Sequence, residues 1–133
     1  MHIYLKNEID LDGQLEVIAQ AFPVEVKKKE GKVYLIYKND ENEKVVIKCD
    51  DNELVMTRFS TPKSIMRFVN NQEAIVTIPT PMGIQHFVTQ TSLYKLDVDK
   101  QELLLHYDLK GLENQQKFAS YKMSIGWKWK TFS

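Results

Sequence analysis

Only one cysteine, Cys49, stands in the 133 residues, so no disulfide can form within the chain. The five glycines are scattered, whereas a phosphate-cradling loop needs them clustered. The three histidines, His2, His86 and His106, stand apart from one another. With a single cysteine to join them, no metal-ligand spacing arises and no cofactor is called for. No apolar run approaches the ~20 residues that cross a bilayer. Met1 to Glu8 mix charge with short apolar pieces, unlike a secretory leader. Charge of one sign is lacking too, since 18 basic residues face 18 acidic ones. That balance leaves no overall field to draw in nucleic acid or an anionic membrane. No nucleophile elbow or local serine–histidine–acid order is present either. These absences point to a cytoplasmic protein without membrane attachment, and they place an enzyme last among the functional readings.

What the chain does have is period two. Its length suits one domain over residues 1–133 with one core. Val33, Leu35 and Tyr37 alternate with Tyr34, Ile36 and Lys38, and Val45, Ile47 and Cys49 with Val46, Lys48 and Asp50. Alternation of this kind marks strands with one buried face. The polar stretch 39–43 between them reads as a hairpin turn. In that pattern Cys49 is a core residue, with no base beside it to make it a nucleophile. Further strands follow around Leu54–Phe59, Ile65–Val69, Ala74–Ile78, Ile84–Leu96, Leu103–Leu109 and Phe118–Trp129. Turn signals recur every ~8–12 residues, as in all-β sandwiches and barrels.

Residues 14–21 are ambiguous between strand and short helix. The strand is favoured, with Leu15, Val17, Ala19 and Ala21 on one face. It then requires a bulge or corner at Phe22-Pro23, where the apolar set changes parity to Phe22, Val24 and Val26. The expected architecture is an all-β, closed, antiparallel up-and-down barrel of about 8–10 strands, because closure removes the exposed edges. A two-sheet sandwich is the alternative.

Four stretches in order carry a family resemblance. They are Gly31-Lys32-Val33-Tyr34-Leu35-Ile36-Tyr37, Arg58 with Met66-Arg67-Phe68, Thr80-Pro81-Met82-Gly83 leading to Thr89-Gln90-Thr91, and Leu105-His106-Tyr107-Asp108-Leu109. The chain resembles the YwiB-like family, uncharacterised β-barrel proteins of Gram-positive bacteria that carry a domain of unknown function. The resemblance implies a calycin (lipocalin- or fatty-acid-binding-protein-like) barrel and brings no activity with it. The chain departs from the family pattern in having no glycine near Phe22-Pro23 or Ser60, and Lys38-Asn39 where acidic residues are expected after Tyr37.

Parity defines the candidate site. A hairpin centred on Asp99 sets Tyr107 opposite Thr91 and Leu105 opposite Leu93, with Phe87 and Thr89 on the same inner face. The inner set of the last strand is Tyr121, Met123, Ile125, Trp127 and Trp129, and that of the Leu54 strand is Leu54, Met56 and Arg58. Arg58, Thr89, Thr91, Tyr107 and Tyr121 are therefore expected as polar groups inside an apolar cup. A buried arginine is costly unless paired. Three fates are open to Arg58: meeting the carboxylate or phosphate of a ligand, closing a structural network, or being turned outward by a bulge at Pro62.

The expected function is non-catalytic binding of a small, partly apolar ligand inside the barrel. The alternatives are a filled barrel acting through its surface or as a homodimer, and, less favoured, a nucleic-acid binder. The last would use the Trp127-Lys128-Trp129-Lys130 alternation as a stacking platform. Lys27-Lys28-Lys29 reads as a solvated strand end.

Overall fold

Short polar turns join every pair of consecutive strands, and that connectivity dictates an up-and-down order. The computed structural model describes residues 1–129. Its strands are β1 His2–Leu11, β2 Gln14–Lys29, β3 Lys32–Lys38, β4 Lys44–Cys49, β5 Glu53–Arg58, β6 Ser64–Val69, β7 Glu73–Thr80, β8 Gly83–Asp97, β9 Glu102–Gly111 and β10 Lys117–Lys128. All neighbours are antiparallel, and β1 closes the ring against β10 from His2↔Lys128 to Asp10↔Ser120. Residues 14–21 are strand, not helix. Two-residue hairpins join β1 to β2, where Asp12 (φ 54°) and Gly13 (φ 90°) both adopt left-handed backbone, and β2 to β3, where Glu30 (φ 54°) and Gly31 (φ 75°) do the same. Such a turn matches the twist of its strands, and glycine adopts it at little steric cost.

Alternation then fills the interior. Ile3, Leu35, Ile47, Leu54, Leu103, Leu105, Ile125 and Trp127 are fully buried on the inner parity of their strands. Each such side chain taken out of water stabilises the fold by about 1.5–3 kcal/mol. Ile3, Trp127, Leu54 and Leu103 close the end that carries the start of β1, the end of β10 and the turns at 30–31, 50–52, 70–72 and 98–101. The Tyr94 hydroxyl lies 2.6 Å and 2.7 Å from the carbonyl oxygens of Asp50 and Glu53, and so fastens the 50–52 turn to β8. The opposite end carries the turns at 12–13, 39–43, 59–63, 81–82 and 112–116.

Two local expectations are corrected. No bulge or parity change occurs at Phe22-Pro23, because β2 runs unbroken with Ile18, Gln20, Phe22, Val24 and Val26 on one parity. Leu15, Val17, Ala19 and Ala21 consequently lie on the outer face. The break in register falls instead at Ser92 in β8, so Thr91 does pair with Tyr107 but Leu105 meets Tyr94 rather than Leu93. A further property of β2 has no counterpart in the sequence. It pairs with β3 only from Val24 to Lys29, leaving residues 14–22 paired with β1 alone.

Candidate functional site

The inner parity that packs solidly at one end becomes loose at the other. β1 contributes Leu5 and Asn7, β2 Ile18 and Gln20, β3 Tyr37, β5 Met56, β6 Met66 and Phe68, β9 Tyr107, and β10 Met123. Together these line a cavity of about 300 Å³ inside the barrel. Met56 and Met66 are register partners across β5 and β6, and Met123 faces the cavity from the far wall. Thioethers on unbranched chains adapt to varied apolar shapes. One polar atom is left over: the Asn7 side-chain oxygen is buried and has no hydrogen-bond partner. A buried acceptor in that state costs about 1–3 kcal/mol and gains whatever donor reaches it.

The aromatic wall is rigid. Tyr107 stacks on Tyr121 with rings parallel within 5° and centroids 4.6 Å apart, and Phe68 leans on Tyr107 at 4.4 Å. Burial pushes the Tyr107 hydroxyl well above its ordinary range, Tyr121 adds to that, and Asn7 pulls the other way. Burial likewise raises Tyr37 to about 12. Both hydroxyls are therefore neutral hydrogen-bond donors at ordinary pH.

The five residues expected to share the cup separate. Tyr107 lines it. Tyr121 backs it through the stack. Thr89 and Thr91 are buried in the wall of β8 and do not line the cavity. The Thr89 hydroxyl donates to the Arg67 carbonyl at 2.6 Å, whereas the Thr91 hydroxyl has no partner. Arg58 keeps the inner parity, opposite buried Val45, but it is the last residue of β5 and its side chain is about half exposed at the rim. Its Nε lies 3.8 Å from a Glu43 carboxylate oxygen. An arginine inside the core is thus corrected to an arginine at the mouth, because the strand ends before the side chain can be enclosed.

Arg58 also lines a groove of about 280 Å³ along the rim, and that groove shares Gln20, Tyr37 and Met56 with the cup. The apolar cavity is therefore continuous with a rim groove that carries Arg58 together with Asp40 and Glu41. Asn7 and Gln20 were not expected here. Asn7 could have been found as the one polar residue in the inward series Ile3, Leu5, Asn7 and Ile9. Gln20 was hidden by the wrong parity assigned to β2.

Other candidate chemistry disperses. Trp127 is 1% exposed inside the closed end, and Trp129, expected on the inner face, lies past β10 and is 72% exposed. The two rings cannot form one stacking surface, and Lys130 lies outside the described residues. Lys27, Lys28 and Lys29 are exposed as expected. Cys49 is buried, and burial together with Asp50 raises its thiol to about 12, which keeps it protonated. Among the described residues no three His, Cys, Asp or Glu side chains gather as metal ligands would, and no helix is long and apolar enough to cross a membrane.

Fold and cavity define the class: a closed antiparallel barrel whose described residues form ten strands, with a partly apolar site inside one end. Such a barrel is consistent with the calycin-like architecture. The chain belongs to the family described as Domain of unknown function (DUF1934), whose model matches residues 3–125. A similar solved structure is the crystal structure of ywiB protein from Bacillus subtilis, with 22% identity and a TM-score of 0.75. The match covers 96% of this chain and 91% of that one, and at this identity it speaks for the fold alone. Comparison with curated proteins gives no match.

Proposed function

We propose that this barrel is a non-catalytic cytoplasmic binder of a small amphiphilic molecule, its apolar body in the cup and its acidic group at Arg58. The observation that supports this most is the continuity of the two spaces through Gln20, Tyr37 and Met56. Ligand sites commonly combine apolar walls with a few placed polar groups. Here the placed groups are the Asn7 amide, the Tyr107 hydroxyl and the Arg58 guanidinium. Glu43 does not neutralise Arg58 for a ligand, since a half-exposed ion pair at 3.8 Å is worth about 0–1 kcal/mol and exchanges readily.

The test uses 1-anilinonaphthalene-8-sulfonate, an aromatic anion whose emission rises in apolar surroundings. Saturable binding at one site per chain is expected. Met66→Trp should abolish it by filling the cup. Arg58→Gln should weaken it about tenfold, the equivalent of about 1.4 kcal/mol, just under the ~1.5–3 kcal/mol of a hydrogen bond to a charged group, as suits a half-exposed arginine. Met56→Phe serves as a milder filling variant, and thermal melts check that each variant folds. Binding that Met66→Trp and Met56→Phe leave unchanged would show that the probe sits elsewhere and would end this reading.

A further inference from the structure

The first half of β2 breaks the rule by which barrels protect themselves. Its outer edge, residues 14–22, has no neighbouring strand, because β3 begins pairing only at Val24. Long, apolar, unpaired edges are normally guarded by lysine, proline or a bulge. Here Leu15 is 68% exposed, Val17 52% and Ile18 41%. Glu16 is the sole charge from Gln14 to Phe22. Pro23 and Lys27-Lys28-Lys29 stand at or beyond the point where β3 already covers the edge.

The free backbone groups can be assigned. In the two-residue hairpin Leu11 and Gln14 form the first hydrogen-bonded pair. Alternation then turns the N–H and C=O of Glu16, Ile18 and Gln20 toward β1, and those of Leu15, Val17, Ala19 and Ala21 away from it. We propose that this edge pairs antiparallel with the same edge of a second copy of the chain, making one sheet continuous across a two-fold homodimer.

The sequence of the edge fits itself. A two-fold axis at Glu16 would bring two carboxylates together, and one at Ala19 would set Leu15 against Pro23, which has no N–H to give. An axis at Val17 or Ile18 avoids both. In either register Glu16 meets an uncharged residue, Ile18 or Gln20. Leu15 of each copy then packs on an alanine of the other, Ala19 or Ala21, large side chain against small. Those alanines also border an open depression of about 600 Å³ on the outer face, formed with Tyr4, Lys6, Leu104 and Ser124. The partner's Leu15 reaches into that depression. The occupant is thus a strand of the same sequence, and the proposal needs no ligand in the cup.

Sedimentation of the full chain at micromolar concentration should give a dimer. Val17→Lys and, separately, Ala19→Lys should each give a monomer with unchanged far-UV circular dichroism. Val17→Cys or Ile18→Cys should cross-link between copies on mild oxidation, with Cys49 silent because it is buried. A monomeric wild type, a dimer that survives both lysine variants, or no cross-link from either cysteine would overturn the proposal.

Discussion

Thr89 and Thr91 stand two positions apart on β8, share a parity and are both buried, yet only the Thr89 hydroxyl has hydrogen-bond acceptors, the Arg67 carbonyl and, at 3.5 Å, that of Ala74. The Thr89 hydroxyl donates to the Arg67 carbonyl at 2.6 Å and so ties β8 to β6 across the thin β6–β7 seam, where a single pair, Ile65↔Thr77, carries the ladder. The Thr91 hydroxyl has no partner. Burying a hydroxyl without a partner costs free energy, and removing one member of a made bond strands the other. Thr89→Val should therefore lose about 1–3 kcal/mol, whereas Thr91→Val should be neutral or gain up to about 1 kcal/mol. Urea midpoints decide between them. Equal losses would mean that Thr91 has a partner such as a buried water. At this scale the sequence was informative about which way a side chain points and silent about what it meets. Parity put Thr89, Thr91 and Tyr107 inside. It could not show that a bond to Arg67 reserves Thr89 for structure, since Arg67 is 22 residues away.

At the scale of elements, the β1–β2 hairpin matters most, since it supplies one wall of the cup and the exposed edge. Its register rests on Asp12-Gly13, with Gly13 at φ 90° and open space where a Cβ would stand. Gly13→Ala meets no neighbour, so its whole effect is the left-handed backbone, a cost of about 1–2 kcal/mol. Denaturant unfolding should show that loss with an unchanged slope. No loss would imply that the turn relaxes to another type. Legibility within β2 was uneven. Its strand character followed from β-branched and alternating residues. Its orientation was misread because an apolar face is normally the buried one, and here Leu15, Val17, Ala19 and Ala21 are exposed. The residues whose apolar periodicity points inward are the same ones that form the unguarded edge.

The whole molecule responds to alkaline pH through its interior tyrosines. Burial raises Tyr37, Tyr94, Tyr107 and Tyr121 above the ordinary 10.0, and raises Cys49 above 9.0. Each group is uncharged in the folded state at a pH where the unfolded chain would already ionise. Their contribution is therefore complete below the unfolded values and is lost as pH rises through 9 to 10 toward the folded ones. Melting temperature should hold steady up to about pH 9 and then fall steeply, and in a Tyr4→Phe/Tyr34→Phe background the tyrosinate absorbance at 295 nm of the remaining four tyrosines should appear together with unfolding. Tyrosinate that forms in that background well below the unfolding transition would show these hydroxyls to be open to solvent.

The sequence by itself determined that the chain is all-β and that its strands follow one another antiparallel, and it favoured a closed barrel while leaving a two-sheet sandwich open. The first two properties come from period two and local turn chemistry, which act between residues close in the chain, whereas closure is the long-range pairing of β1 with β10. Tertiary structure alone decided that the interior is packed at one end and hollow at the other, and that Arg58 stands at the mouth rather than in the core. It also decided that half of β2 lacks a neighbour. Each of these depends on where strands of unequal length stop relative to one another: β2 has 16 residues and β8 has 15, while β4, β5 and β6 have 6 each. Alternation fixes the side a residue faces, whereas strand stagger fixes whether anything stands across from it, and stagger is settled only when the ring closes.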